Sequence, residues 1–302
     1  MPTTTATKIA FRARWTGAAI PSESRNIRVH SVYAHAVNLQ LEGWDLLAAI
    51  TGPAGEGLPH AMVLGTEVDF SGWRLERGDA GHFGEGSLRL RGSGCQIEVE
   101  FLDSGRERHE GMAGVAALGT AFDAAVAALV KEQWIRSCDF QIGALLASEG
   151  GSGAMGARLA AAAQSLASAL PAVCGPGRIG NDSLPVAVRR LVGLGRGLTP
   201  SGDDFLCGFM AAANCHDHGQ AVVIGETVEE CISATNEISG SLLRCAIRGF
   251  FPRDLRHAAS AIGVEDESTA VVAIRRLCKM GHSSGADMAT GFLFGLFSLI
   301  GR

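Results

Sequence analysis

The sequence has 302 residues, 47% hydrophobic and 19% charged, which is enough apolar material for a full core and excludes global disorder. Its 26 Lys and Arg against 31 Asp and Glu leave a formal net charge of −5 with no basic block, which argues against nucleic acid or an anionic membrane surface as a partner. The length predicts one large domain or two modest ones.

Met1–Ala10 has a Thr cluster but no apolar run, so no signal peptide is expected there. Lys8–Trp15 alternates, with Ile9, Phe11, Ala13 and Trp15 on one face, the period-two pattern of a half-buried strand. Ile27–Leu41, Trp44–Ile50, Ala61–Leu64, Val68–Trp73, Leu88–Arg91 and Cys95–Phe101 are predicted strands too. Glycines such as Gly52, Gly57, Gly78 and Gly86 punctuate them as turns. About seven short strands in the first 100 or so residues predict an antiparallel sheet or a small barrel.

The texture changes near residue 110. Helical apolar spacing covers Gly114–Lys131, Ala154–Leu170 and Leu184–Leu191, with Pro171–Asp182 as an intervening Pro/Gly loop. Further helices are expected over Asp203–Asn214, Glu226–Ile238, Ser241–Arg248, Thr269–Cys278 and Ala286–Leu299. The fold class is therefore α+β: a β-rich domain at 1–110, then an α-helical domain at 111–302. The eight cysteines form no C-x-x-C pair and mostly lie in apolar stretches, as reduced core thiols of a cytoplasmic protein would. The greasy run Phe292–Ile300 is broken by Gly295 and Ser298, and is far shorter than the ~20 residues of a membrane helix.

The most informative stretch is Gly193–Gly208, reading Gly-Leu-Gly-Arg-Gly-Leu-Thr-Pro-Ser-Gly-Asp-Asp-Phe-Leu-Cys-Gly. A Gly-rich loop (Gly193, Gly195, Gly197, with Arg196) that runs into a helix start offers free N–H groups and the positive end of a dipole, both suited to an anion. Thr199 or Ser201 is the expected cap, since Pro200 follows one and Asp204 lies three residues after the other. No Lys follows Gly202, so this is not a Walker A loop, and the dinucleotide spacing is absent.

Ser284–Leu293 aligns without gaps on Ser201–Met210, with Ser, Gly, the second Asp (Asp204, Asp287), Gly and Phe identical. Two helices with the same start are expected to point at one cleft from opposite sides. The second copy brings His282, Ser283 and Ser284, and His282 is the candidate for proton transfer. Asp203 and Asp204 beside a bound anion need neutralising. A divalent cation such as Mg²⁺ would do this, or the carboxylates accept from a substrate –NH2, or they only orient the loop. Arg196 and Arg244 are candidate cationic partners. Asn236, Ser239 and Ser241 form another polar cluster, read either as an interhelical turn with caps or as part of the site. His216-Asp217-His218 falls in a helix-ending segment, so a metal is not expected there. Ser31 and Asn38, in the strand-like run around His30 and Tyr33, are candidates to line the cleft.

These residues carry a resemblance. The Gly-Leu-Thr-Pro-Ser-Gly-Asp-Asp core, the downstream Gly281-His-Ser-Ser-Gly-x-Asp287 and the early His30-Ser-Val-Tyr…Asn38-Leu are similar to the DUF2877 family, which includes the AllH-type subunit of oxamate carbamoyltransferase. Arg196 stands where that family often has proline. The resemblance implies a cytoplasmic subunit working with an FdrA-type, succinyl-CoA-synthetase-like subunit and a DUF1116-type subunit. Together they would interconvert oxalurate plus phosphate with oxamate plus carbamoyl phosphate. It leaves open a catalytic chain, a non-catalytic anion-binding or assembly subunit, and a metal-dependent phosphotransferase using the Asp pair.

Overall fold

A computed structural model describes residues 7–84, 86–93, 95–101, 105–136, 138, 140–151, 153–170 and 183–301. The Pro171–Asp182 loop lies outside the described residues, as does Cys174. The chain divides into two compact units, 1–110 and 111–302.

The first unit is a closed eight-stranded barrel. Its strands are β1 (Thr7–Thr16), β2 (Arg25–Tyr33), β3 (Ala36–Leu41), β4 (Leu47–Thr51), β5 (Ala61–Leu64), β6 (Ala80–Gly84), β7 (Ser87–Gly92) and β8 (Cys95–Phe101), in the order β1-β5-β4-β3-β2-β6-β7-β8. Alternation decides which side chains fill it. Ala13 of β1 is buried in it while Arg12 and Arg14 face out, and pairs such as Val29↔Leu39 and Leu90↔Ile97 close the core; Trp15, past an irregularity in β1, packs instead with Ala61 and Val63. Outside, Glu98 receives Lys8 at 2.7 Å and Arg89 at 2.8 Å, and the two cations hold its carboxyl below the usual range.

Three sequence expectations change here. The barrel is not purely antiparallel, because β1 pairs β8 and β4 pairs β5 in parallel, and the first of these closes the sheet. Ile27–Leu41 is not one strand but the β2–β3 hairpin. Val68–Trp73 is a 3-10 turn over Phe70–Trp73, because the Asp69 carboxylate accepts from the Ser71 N–H at 3.0 Å and closes the chain locally.

The second unit is helical: α1 (Thr120–Arg136), α2 (Ile142–Leu146), α3 (Gly153–Ala169), α4 (Leu184–Leu191), α5 (Ser201–His216), α6 (His218–Cys231), α7 (Glu237–Ile247), α8 (Arg253–Gly263), α9 (Glu267–Leu277) and α10 (Ser284–Ile300). The expected helix over Glu226–Ile238 is displaced. Asp217 caps α6 early by accepting from Gly219 N at 2.8 Å, and Asn236 restarts the chain as α7 by accepting from Ile238 and Ser239 N, both at 3.1 Å. At the centre of the core are α5 and α10, whose residues from Phe205 to Phe209 and from Met288 to Leu293 are wholly buried or nearly so. Among the described residues no helix is long and apolar enough to cross a membrane.

Candidate functional site

The two copies of the Ser-Gly-x-Asp motif begin neighbouring helices, and their glycines decide how those helices meet. A Cβ on Gly208 would lie 1.9 Å from the Met288 carbonyl oxygen, and one on Gly291 would lie 2.0 Å from that of Phe205. Phe205 and Met288 are equivalent positions in the two copies, so the contact is reciprocal. Further along, Gly295 meets the Cβ of Ala212 at 2.7 Å. The contacts advance together along both helices, so α5 and α10 run parallel, backbone against backbone. Their starts therefore lie side by side, and not on opposite sides of a cleft as the sequence suggested. Each start is also seated alike. A Cβ on Gly202 would lie 2.1 Å from the carbonyl oxygen of Leu191, at the end of α4, and one on Gly285 1.8 Å from that of Leu277, at the end of α9.

The join between the copies is a hydrogen bond of 2.7 Å between the hydroxyls of Thr199 and Ser284. Thr199 is thus not the cap of α5. Pro200 occupies the cap position of α5 and Ser283 that of α10, and neither makes a side-chain cap bond. At the rim the two starts share, no side chain caps them, but backbone carbonyls take part of each first turn: Gly202 N donates to the Leu194 carbonyl at 2.8 Å, Asp203 N to that of Pro200 at 2.9 Å and Gly285 N to that of Met280 at 3.0 Å. Ser201, Ser283 and Ser284 are partly exposed there, and His282 is exposed. The His282 carbonyl accepts from Arg136 Nη1 at 3.2 Å, which anchors that turn to the end of α1.

Beneath the rim lie carboxyls. Asp204 is 0% and Asp287 1% exposed. Burial, then the charge of Asp287, pushes the Asp204 carboxyl well above its ordinary range, with a smaller push from Asp203. The Ser284 and Thr199 hydroxyls pull the other way. Neither Asp204 oxygen has a hydrogen-bond partner by geometry among the described residues; the Thr199–Ser284 bond uses the proton of only one hydroxyl, and the other O–H can turn toward the carboxyl. Burial, then the Asp204 and Asp203 carboxyls, push the Cys207 thiol well above its ordinary range, which disfavours the thiolate.

Asp203 does different work. It accepts from Gly193 N at 2.7 Å, from Ser239 Oγ at 2.7 Å and from the Thr235 hydroxyl. Burial raises the pKa of the Asp203 carboxyl, and these donors offset part of that rise. The Gly loop turns on Gly193 and Gly195, with φ of 73° and 139°, where a side chain would also strike backbone. Asn236 ties the same loop down by donating to the Leu198 carbonyl at 2.9 Å. Asp203 and Ser239 thus form a brace between the loop and α7, with Ser239 fully buried and its hydroxyl committed. Asp203→Ala is expected to orphan these donors at about 1–3 kcal/mol for each one left buried, read as a lower urea midpoint at unchanged m-value.

The remaining candidates separate. Arg196 and Gly197 are exposed on the loop, but Arg244 is held by Glu229 through Nε at 3.0 Å and Nη2 at 2.9 Å. Ser31 and Asn38 pair across β2 and β3, Asn38 Nδ2 donating to Ser31 Oγ at 3.0 Å beside a bulge. Among the described residues no three His, Cys, Asp or Glu side chains come together as metal ligands. With Asp203 already accepting three bonds, the Asp pair does not make a ready Mg²⁺ site.

A family model described as the AllH family N-terminal domain matches residues 7–106, the barrel. A second, described as oxamate carbamoyltransferase subunit AllH, matches residues 191–296, from the end of α4 into α10. The chain belongs to the AllH family. The second match contains both Ser-Gly-x-Asp starts, the brace and His282, and its description makes this AllH chain a transferase subunit. No solved structure matches it significantly.

Proposed function

We propose that this AllH chain is the subunit of an oxamate carbamoyltransferase that holds a small amide-bearing acid at the joined starts of α5 and α10. The observation that carries this is the Thr199–Ser284 bond over the buried Asp204, whose oxygens have no partner by geometry. An acidic floor beneath uncapped helix starts suits a ligand with an anionic end and an –NH2 end. The anionic end (the carboxylate of oxamate or oxalurate, or the phosphoryl of phosphate or carbamoyl phosphate) is held by the helix-start N–H groups and by Thr199, Ser201, Ser283 and Ser284. Each helix contributes roughly half a positive charge there. Gly195, Arg196, Gly197 and Gly202 shape the wall. The –NH2 donates to Asp204, with Asp287 behind it, which gives the buried carboxyl a donor. Asp203 is a positioning residue.

The reaction balances as phosphorolysis. A phosphate oxygen bonds to the carbamoyl carbon of oxalurate as the bond from that carbon to the amide nitrogen breaks. The nitrogen takes a proton from His282 and leaves as oxamate, with carbamoyl phosphate as the other product. The reverse transfers the carbamoyl group to oxamate. FdrA-type and DUF1116-type subunits complete the complex in this reading.

Melting curves of the chain in its complex, with oxamate, oxalurate, carbamoyl phosphate or phosphate, test the proposal. A ligand at 100-fold its Kd stabilises by about 2.7 kcal/mol. An upward shift is expected for at least one of them, and it should vanish in the Thr199→Ala, Ser284→Ala double variant. If no ligand shifts the melting point, or the double variant instead releases the partner subunits, the chain is an assembly subunit.

A further inference from the structure

We propose that the helical unit carries a second anion site, for a compact phosphoryl ligand such as inorganic phosphate or pyrophosphate, in a cavity lined by Arg158, Arg189 and Arg190. This site is independent of the reading of the helix starts. The cavity has a volume of about 500 Å³, within the roughly 300–1,000 Å³ usual for small-molecule sites. Arg158 comes from α3 and the other two from the last turn of α4, and these helices pack together. Ala161 and Ala162 keep its wall low. The backbone of Gly193, at the root of the Gly loop, completes it.

The charge is unbalanced. No acidic side chain among the described residues lines the cavity. Neither Arg158 nor Arg189 forms an ion pair with a described carboxylate. Arg158 and Arg189 thus bring two unpaired positive charges to one cavity, in a chain whose formal net charge is −5. Arg189 suits the negative end of the α4 dipole, but that argument does not reach Arg158, which belongs to another helix. An anion placed between Arg158 and Arg189, with Arg190 alongside, offsets both charges.

The donor geometry selects its class. A guanidinium presents a planar fork that meets two oxygens at once. A carboxylate has two oxygens in one plane, whereas a phosphoryl group presents three terminal oxygens to forks arriving from two helices. No aromatic side chain among the described residues lines the cavity, so nothing there stacks a base and a nucleoside is not favoured. Gly193 donates its N–H to Asp203, so a ligand in this cavity sits against the anchor of the Gly loop.

Isothermal titration of the full chain with phosphate and pyrophosphate at fixed ionic strength tests this, with malonate as the carboxylate arm. Arg158 and Arg189 are exposed, so their replacement leaves the fold intact. In the Thr199→Ala, Ser284→Ala background, which lacks the helix-start site, binding is expected to persist. There Arg158→Gln and Arg189→Gln each weaken it about tenfold or more, and the two together abolish it. No binding in that background, binding that survives both arginine replacements, or malonate bound more tightly than phosphate would each overturn the proposal.

Discussion

Asp204→Asn is expected to make this protein more stable at neutral pH and far less active. The side chain is buried with no hydrogen-bond partner by geometry, and its acidity is weakened by burial and then by Asp287. A carboxyl whose folded pKa is raised keeps its proton while the unfolded chain releases one. Stability therefore falls as pH rises from the ordinary carboxylate range toward the raised folded value. Asn has the same shape and no charge, and its amide can donate toward Asp287. The gain at pH 8 is about 1–3 kcal/mol, the usual cost of a buried unsatisfied polar group, or roughly 2–4 °C per kcal/mol for a unit of this size. Melting temperatures at pH 5 and pH 8 read it out. The wild type should lose more on going to pH 8 than the variant, and a residual slope should persist from Asp203, which is also raised. Turnover of the assembled enzyme should drop about 10²-fold or more, the usual effect of removing one preorganised polar contact. A variant that is both less stable and fully active would mean that Asp204 is an ordinary structural carboxyl.

A carboxyl kept at a cost to stability is the kind of feature sequence reading can locate but not interpret. The Gly193–Gly208 loop and the repeat at Ser284 stand out in the sequence because glycine, hydroxyl and acid spacing is local information. The roles of the two adjacent aspartates are not local. Asp203 is defined by Gly193, Thr235 and Ser239, and Asp204 by Thr199, Ser284 and Asp287, partners as many as 83 residues away. Capping rules pointed to Thr199, yet its hydroxyl crosses to the other motif copy, and Pro200 takes the cap position. The repeat implied that two helix starts converge. Whether they face each other or lie abreast depends on Gly208 and Gly291, whose bare Cα atoms let the backbones touch.

The barrel shows the same division. Alternation made β1, β5, β7 and β8 legible, and the Ala-rich periodicity gave α3, α4 and α10 nearly to the residue. Closure was not legible, because the parallel β1–β8 pairing joins residues almost 90 apart. The helix over Arg253–Gly263 is hidden in the sequence by the charged residues at its start, although Pro252 precedes it and Leu255, Ala258, Ala259 and Ile262 form a buried stripe. The arginine cavity left no trace in the sequence, since an arginine within one helix and a pair ending another carry no signal that they meet.

Gly208→Ala is expected to cause a large loss of stability in the helical unit. Its Cβ would sit 1.9 Å from the Met288 carbonyl oxygen and 2.7 Å from the Phe292 nitrogen, and both are backbone atoms that no rotamer change can move. The helices must part by about an ångström at the centre of the core, which costs ~3 kcal/mol, at or above the upper end of ordinary overpacking. Gly225 is the control. It lies inside α6, and an added Cβ would meet only Ile247 side-chain atoms at 3.5 Å or beyond. Gly225→Ala should therefore gain up to about 1 kcal/mol of helix propensity. Urea unfolding of both variants separates backbone contact from a general intolerance of alanine. Gly291→Ala should match Gly208→Ala, since its Cβ meets the Phe205 carbonyl in the equivalent contact. The double variant should cost less than the sum, because helices already parted by one methyl admit the second. Full additivity would mean that the two glycines report on separate contacts. Parting the helices also separates Thr199 from Ser284, so the same variants should weaken ligand binding at the rim while the chain is still folded, which ties the small residues in the core to the site at the surface.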